Sequence, residues 1–194
     1  MVKLIGKTKV CCAVFISGRG TNLKSIINYS KKKKSKIYLK LVISNKSNAS
    51  GIKFAKKNKI PTKIINYKNK IKAEKEIIKY LDKYNIRLIC LAGFMKILSK
   101  YFIQKFKNKI INIHPSLLPK YKGLNTHERV INNNEKFSGC TVHYVNENLD
   151  SGKIILRKKV KLLKSDTPKS LAKRILIMEN RLYPKAIDKI LTKF

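Results

Sequence analysis

Apolar residues in this chain fall into two kinds of run that take turns along its length. Val10 to Ile16, Tyr38 to Ser44, Ile86 to Ala92 and Ile110 to Ile113 are short and nearly unbroken. Continuous apolar runs of that length, rich in β-branched residues, fit strands covered on both faces. Between them the apolar positions return every three or four residues. Ile77, Ile78, Leu81 and Tyr84 form such a stripe within residues 72–84, and shorter stripes predict helices over 49–58, over 99–106 and from Leu23 onward. A short strand is expected over 63–66, after Pro61. Strand and helix in alternation predict an α/β fold built on a single doubly wound, mostly parallel open sheet.

The pattern changes beyond Pro119. Ser138 to Val145 and Ile154 to Leu163 read as two strands joined by the polar, turn-rich segment from Asn146 to Gly152. Thr126 is expected to cap a helix that ends by residues 132–134. Thr167 followed by Pro168 opens a long C-terminal helix, with proline in its favoured first turn. Its inward stripe is Leu171, Ile175, Met178, Leu182 and Ala186. Glu179 falls on the same face, and a carboxylate there needs a partner, either one of the many lysines or a ligand. There are no repeats or low-complexity tails, so residues 1–194 are expected to form one domain.

Two loops carry candidate chemistry. The first strand stops at Ser17-Gly18-Arg19-Gly20-Thr21-Asn22. Glycines permit a tight turn, and Thr21 or Asn22 is expected to cap the helix that follows. The free N–H groups and positive end of that helix suit an anion. The spacing is not that of a dinucleotide-binding turn, because Asn22 and Leu23 stand where a third glycine would be. In the strand beginning at Ile110, period-two alternation sends Asn112 and His114 to the same side, and Pro115 and Pro119 force the chain out of the sheet just beyond them. An amide and an imidazole at the C-terminal end of a strand occupy the usual place for ligand chemistry in an open α/β sheet.

Composition narrows the function classes. The net charge is +36, from 46 basic residues of which only six are arginine, against ten acidic ones. The bases are spread over the whole length, unlike the clustered, arginine-bearing face of a nucleic-acid reader, so a dedicated nucleic-acid partner is not expected. An attraction for small anions is. Cys11, Cys12, Cys90 and Cys140 lie in apolar runs without metal-type spacing, which fits small buried residues in a reducing compartment. No stretch approaches the ~20 apolar residues of a membrane span. A cytoplasmic protein with no membrane partner, no leader segment at its N-terminus and no metal is expected.

Taken together the motifs resemble the phosphoribosylglycinamide formyltransferase family, from about Val10 to Pro184. They are Ser17 to Leu23, Leu91 to Ser99, Asn112 to Pro119, Gly123 to His127, Gly139 to His143 and Asp150-Ser151-Gly152. The resemblance implies a Rossmann-like fold and formyl transfer from 10-formyltetrahydrofolate to glycinamide ribonucleotide. It also implies roles: Asn112, His114 and Asp150 catalytic; Gly20, Thr21 and Asn22 on the substrate phosphate; Glu179 on the glycinamide substrate. Lys70, Met95, Lys96, Ile97, Leu98, Asn146, Glu147, Asn148 and Leu149 would face the folate. A monomer or weak homodimer acting on these small molecules is expected. Arg19, Lys122 and Asn125 depart from the family pattern, and Lys70 replaces an arginine. Methionyl-tRNA formyltransferase and formyltetrahydrofolate hydrolase share the trio but carry an additional domain, so at this length neither is the expected activity. A basic nucleic-acid-binding module on the same fold is the reading from another class.

Overall fold

In the computed structural model, which describes residues 9–192, the first apolar run forms β1 (Val10–Ile16), and from Cys12 onward its side chains are wholly shielded from water. The expectation about a leader segment falls on N-terminal residues outside those described. The chain continues as α1 (Thr21–Ser30), β2 (Ile37–Ser44), α2 (Gly51–Lys57), β3 (Thr62–Ile64), α3 (Lys70–Lys83), β4 (Leu88–Leu91) and α4 (Lys100–Lys105). It then forms β5 (Ile110–His114), α5 (Thr126–Asn132), β6 (Phe137–Tyr144), β7 (Ile154–Lys161) and α6 (Pro168–Leu191). One seven-stranded sheet results, in the order β3-β2-β1-β4-β5-β6-β7. The first five strands pair in parallel, while β6 and β7 run antiparallel to their neighbours. The expected mostly parallel, doubly wound sheet with a long final helix is the observed one.

Each face of the sheet has its own core, which is why the central strands are apolar throughout. Leu23 and Ile26 of α1, Ile52 and Ala55 of α2, Val130 of α5 and the α6 stripe cover one face. Ala73, Ile77 and Leu81 of α3 and Phe102 of α4 cover the other. Helix α6 starts as the sequence predicts. The Thr167 hydroxyl accepts from the Ser170 N–H, the Ser170 hydroxyl accepts from the Thr167 N–H, and Pro168 sits in the first turn. Such a cap is worth about 1 kcal/mol. The inward stripe includes a residue the periodicity did not single out. The Tyr183 hydroxyl is buried and donates toward the Leu91 carbonyl (2.9 Å) and the Ile111 carbonyl (3.1 Å), tying α6 to β4 and β5.

Three local expectations are corrected. The edge strand β3 spans Thr62–Ile64 rather than 63–66, because it pairs with β2 over only three residues before the chain leaves the sheet. Neither Thr21 nor Asn22 caps α1. Gly20 takes the cap position in the left-handed region (φ 71°) and no side chain bonds to the first turn. Likewise Asn125, at φ 55°, precedes α5 and Thr126 is already inside it. A capping hydroxyl works from an extended backbone, and both helices are instead entered through a left-handed residue.

Candidate active site

The order of the strands reverses between β1 and β4, so the loops that follow them separate at neighbouring C-terminal ends, the crevice where open α/β sheets bind ligands. The two loops are stitched together there. The Ser17 N–H donates to the Gly93 carbonyl (3.1 Å), and the Met95 N–H donates to Ser17 Oγ (2.7 Å). The Gly18 carbonyl accepts from the Gly51 N–H at 3.0 Å. A Cβ on Gly20 would lie 2.4 Å from Gly51 Cα, so only glycine lets the loop pack this closely on the start of α2. With no side-chain cap, the first N–H groups of α1 are left for an anion.

Just inside that turn, Asn22 is 7% exposed and its Nδ2 donates to Glu179 Oε2 at 2.8 Å, while its Oδ1 is buried without a partner. The partner of Glu179 is therefore an amide and not a lysine. Burial raises the Glu179 pKa above the ordinary carboxylate value, and the Asn22 bond opposes it. An acceptor oxygen left over beside an open helix start is a place for a ligand that brings both an anion and a donor.

Across the sheet, β5 carries Asn112 and His114, as the alternation predicts. The antiparallel partner β6 sets His143 directly opposite Asn112. His143 Nδ1 lies 2.8 Å from the Tyr144 carbonyl and so carries a proton, and Nε2 lies 3.3 Å from Asn112 Nδ2. One amide N–H of Asn112 faces that ring and the other is unengaged. His114 Nε2 donates to the Tyr121 carbonyl (2.8 Å), and its Nδ1 faces Asp150 Oδ2 at 3.2 Å. Asp150 also accepts from the Gly123 N–H at 2.9 Å, and its other oxygen lies 3.6 Å from His143 Nε2. His114 and Asp150 are nearly buried, with 7% and 8% of their side chains exposed.

Electrostatics at this cluster are a balance. Burial lowers the His114 pKa below the ordinary imidazole value, against the opposing pull of the Tyr121 carbonyl and the Asp150 charge. The expectation that Asp150 favours the protonated ring holds in sign, but desolvation is the larger effect. For Asp150 itself burial pushes the pKa up, and contacts from His143 and the Gly123 N–H with the charge of His114 outweigh it, so the carboxyl titrates below its usual range. Burial thus works against the charged ring, while both ring nitrogens face acceptors, the Tyr121 carbonyl and the Asp150 carboxylate, which suit an imidazolium.

These residues form one wall of a cavity of about 690 Å³. Met95, Lys96, Ile97 and Leu98 line it after β4, and Asn146, Glu147, Asn148 and Leu149 line it from the β6–β7 connection. Eight of the nine residues expected to face the folate thus meet Asn112, His114 and Asp150 around a single space; Lys70, exposed at the start of α3, is not among its lining residues. The β6–β7 loop is fastened at Glu147 by Lys100 (3.2 Å) and Gln104 (2.9 Å). A Cβ on Gly152 would fall 1.7 Å from the Tyr144 carbonyl oxygen, so glycine is obligatory where the loop closes. His127 also lines the cavity, its buried Nδ1 unpartnered and its pKa lowered by burial and by His114. Among the described residues no three His, Cys, Asp or Glu side chains gather as a metal site. Cys12, Cys90 and Cys140 are buried free thiols, and no described helix is long and apolar enough to cross a membrane.

The family model for formyl transferases matches residues 10–187. The chain belongs to the formyl transferase family. It is 43% identical over 178 residues to phosphoribosylglycinamide formyltransferase of Haemophilus influenzae, covering 90% of this chain and 84% of that one. It is 41% identical over 185 residues to the human trifunctional purine biosynthetic protein adenosine-3, covering 94% of this chain but 18% of the relative's length. The crystal structure of phosphoribosylglycinamide formyltransferase from Brucella melitensis superposes with a TM-score of 0.90 at 38% identity, covering 94% and 96% of the two chains. His143 meets the candidate site without having been expected there, because its opposition to Asn112 exists only once β5 and β6 pair; its place in the Gly139 to His143 motif was the available signal.

Proposed function

We propose that this chain is a cytoplasmic phosphoribosylglycinamide formyltransferase, acting as one domain that moves the formyl group of 10-formyltetrahydrofolate to the amine of glycinamide ribonucleotide. What carries the reading is the convergence of Asn112, His114 and Asp150 on one cavity with the segments 95–98 and 146–149. The ribonucleotide phosphate is assigned to the open start of α1 at Gly20, Thr21 and Asn22, with Asn22 and Glu179 on the rest of that substrate, and the folate to the 690 Å³ cavity.

The chemistry follows from the groups present. The amine nitrogen attacks the formyl carbon, and negative charge grows on the formyl oxygen. The free N–H of Asn112 stabilises that oxygen, a contribution of about 3 kcal/mol for a preorganised donor in a desolvated site. The attacking nitrogen must lose a proton, and the departing folate nitrogen must gain one as the carbon–nitrogen bond to it breaks. His114 relays the proton: as an imidazolium, held by Asp150 and the Tyr121 carbonyl, it adds positive charge beside the oxyanion and gives an N–H proton to the departing nitrogen, and the proton lost by the attacking nitrogen replaces it. Delivery to the leaving nitrogen requires the ring to release one of those two acceptors. No metal enters this scheme. The test is a steady-state assay with purified protein, both substrates and detection of released tetrahydrofolate. Activity that disappears in His114→Ala supports the reading, and absence of any turnover at saturating substrates rejects it.

A further inference from the structure

A second cavity, also about 690 Å³, lies between α1 and α6; it shares no lining residue with the one holding Asn112 and His114, and it meets the open start of α1 only at Thr21. Its walls bring together five cations: Lys24 from α1, Lys32 and Lys34 from the turn after it, and Arg181 and Lys185 from α6. Among the described residues none of the five is ion-paired; the Lys24 ammonium lies over the Phe54 ring of α2, 5.7 Å from its centroid, which leaves Lys32, Lys34, Arg181 and Lys185 without a charged or aromatic partner. The single carboxylate of the lining, Asp188, is already engaged by the Tyr29 hydroxyl. The Ser25 hydroxyl donates to the Asn180 carbonyl and the Tyr29 hydroxyl to Asp188, so α1 and α6 run side by side, with Arg181 toward one end of the groove and Lys32 toward the other. Asn180, whose buried Oδ1 has no partner, also lines the groove.

We propose that this groove binds a linear polyphosphate anion, either free or as the phosphate chain of a nucleotide. Charges of one sign in a concavity with protein walls focus the field there, unlike the same lysines on a convex surface. Flexible ammonium groups in a row neutralise successive phosphoryl groups without requiring one fixed geometry. The groove lies between two helices along their length, which suits an extended chain. The unpartnered Asn180 oxygen would receive a hydroxyl, which a nucleotide carries and inorganic polyphosphate does not.

Because the whole protein is strongly basic, the test must separate a site from a background. Binding of inorganic tripolyphosphate, ATP and AMP is measured by calorimetry at 0.15 M salt, where the screening length is about 8 Å. Lys32→Glu/Lys185→Glu is compared with the charge-matched Lys75→Glu/Lys79→Glu, placed on exposed positions of α3 across the sheet. The groove variant is expected to bind tripolyphosphate at least ~tenfold more weakly, while the α3 variant stays within about twofold and AMP binds poorly to all, since distant exposed charges are screened. Tighter binding of ATP than of tripolyphosphate assigns the nucleotide as the source, and equal binding assigns the free anion. Equal losses in the two variants, or AMP binding as well as ATP, overturn the proposal. So does a DNA duplex that binds more tightly than tripolyphosphate through the same residues. Lys32→Gln/Lys185→Gln with an unchanged melting temperature guards against misfolding and should show a smaller loss of the same kind.

Discussion

Replacing Asp150 with Asn removes a charge while keeping a side chain of the same shape, so it isolates what the carboxylate does for His114. Asp150 Oδ2 lies 3.2 Å from His114 Nδ1, with both side chains over 90% buried, and the Asn oxygen can still accept from the Gly123 N–H. The ring is already held below its ordinary pKa by burial, and the Asp150 charge is one of the two contacts that offset this. In the Asn variant the side-chain oxygen can still accept from the ring, but as a neutral amide, so the imidazolium formed during the reaction loses the negative charge beside it. A hydrogen bond to a charged group is worth about 1.5–3 kcal/mol, and a nearby charge at an effective dielectric of about 20 adds to it, so the transition state should lose about 2–4 kcal/mol. That corresponds to a roughly thirty- to nine-hundred-fold fall in kcat, with KM for either substrate little changed. The pH profile supplies the sign. The Asp150 charge favours the protonated ring, so in Asp150→Asn the limb of the kcat/KM profile that reports His114 should move to lower pH. A kcat within about threefold of wild type, or a His114 limb displaced upward, would refute the reasoning.

Other perturbations reach the scaffold around the site. Gly20→Ala forces a side chain into a left-handed position with its Cβ 2.4 Å from Gly51 Cα, so KM for glycinamide ribonucleotide should rise at least ~tenfold while KM for the folate holds; parallel changes in both would remove the loop from the phosphate role. Tyr183→Phe deletes a buried hydroxyl directed at the Leu91 and Ile111 carbonyls and should cost about 1–3 kcal/mol, seen as a drop of several degrees in Tm; an unchanged Tm would make that anchor incidental. With a net charge of +36 the chain repels itself, so Tm should rise from low salt to several tenths molar as screening shortens to about 10 Å and below, and a flat Tm would contradict this.

The sheet was legible because its strands are buried on both faces, and continuous apolar runs such as Val10 to Ile16 have few other readings. Helix starts were less so. Thr21 and Thr126 are good capping residues, yet the chain enters α1 and α5 through Gly20 and Asn125 in the left-handed region, a backbone choice that side-chain preference does not reveal. Within the site, Asn112 and His114 share a face by local alternation alone and could be paired from the sequence. Asp150 and the 95–98 segment come from distant parts of the chain, and only the resemblance brought them together. His143 depends on the β5–β6 register, and the pairing of Asn22 with Glu179 depends on how α6 packs on α1. Both are tertiary facts with no local signature. The Glu179 stripe position showed that the carboxylate was inward but not which group would meet it.

The central claim is that the wall formed by Asn112, His114 and Asp150 directs a formyl group to an amine and not to water. Its most direct test is a single-turnover experiment with enzyme in excess, isotopically labelled formyl on the folate, and glycinamide ribonucleotide present. The account predicts that the label appears on the ribonucleotide amine in one phase, matched by release of tetrahydrofolate, and that Asn112→Ala slows that phase by roughly a hundredfold. Label recovered as free formate, or left on the folate while the ribonucleotide remains unmodified, would contradict it.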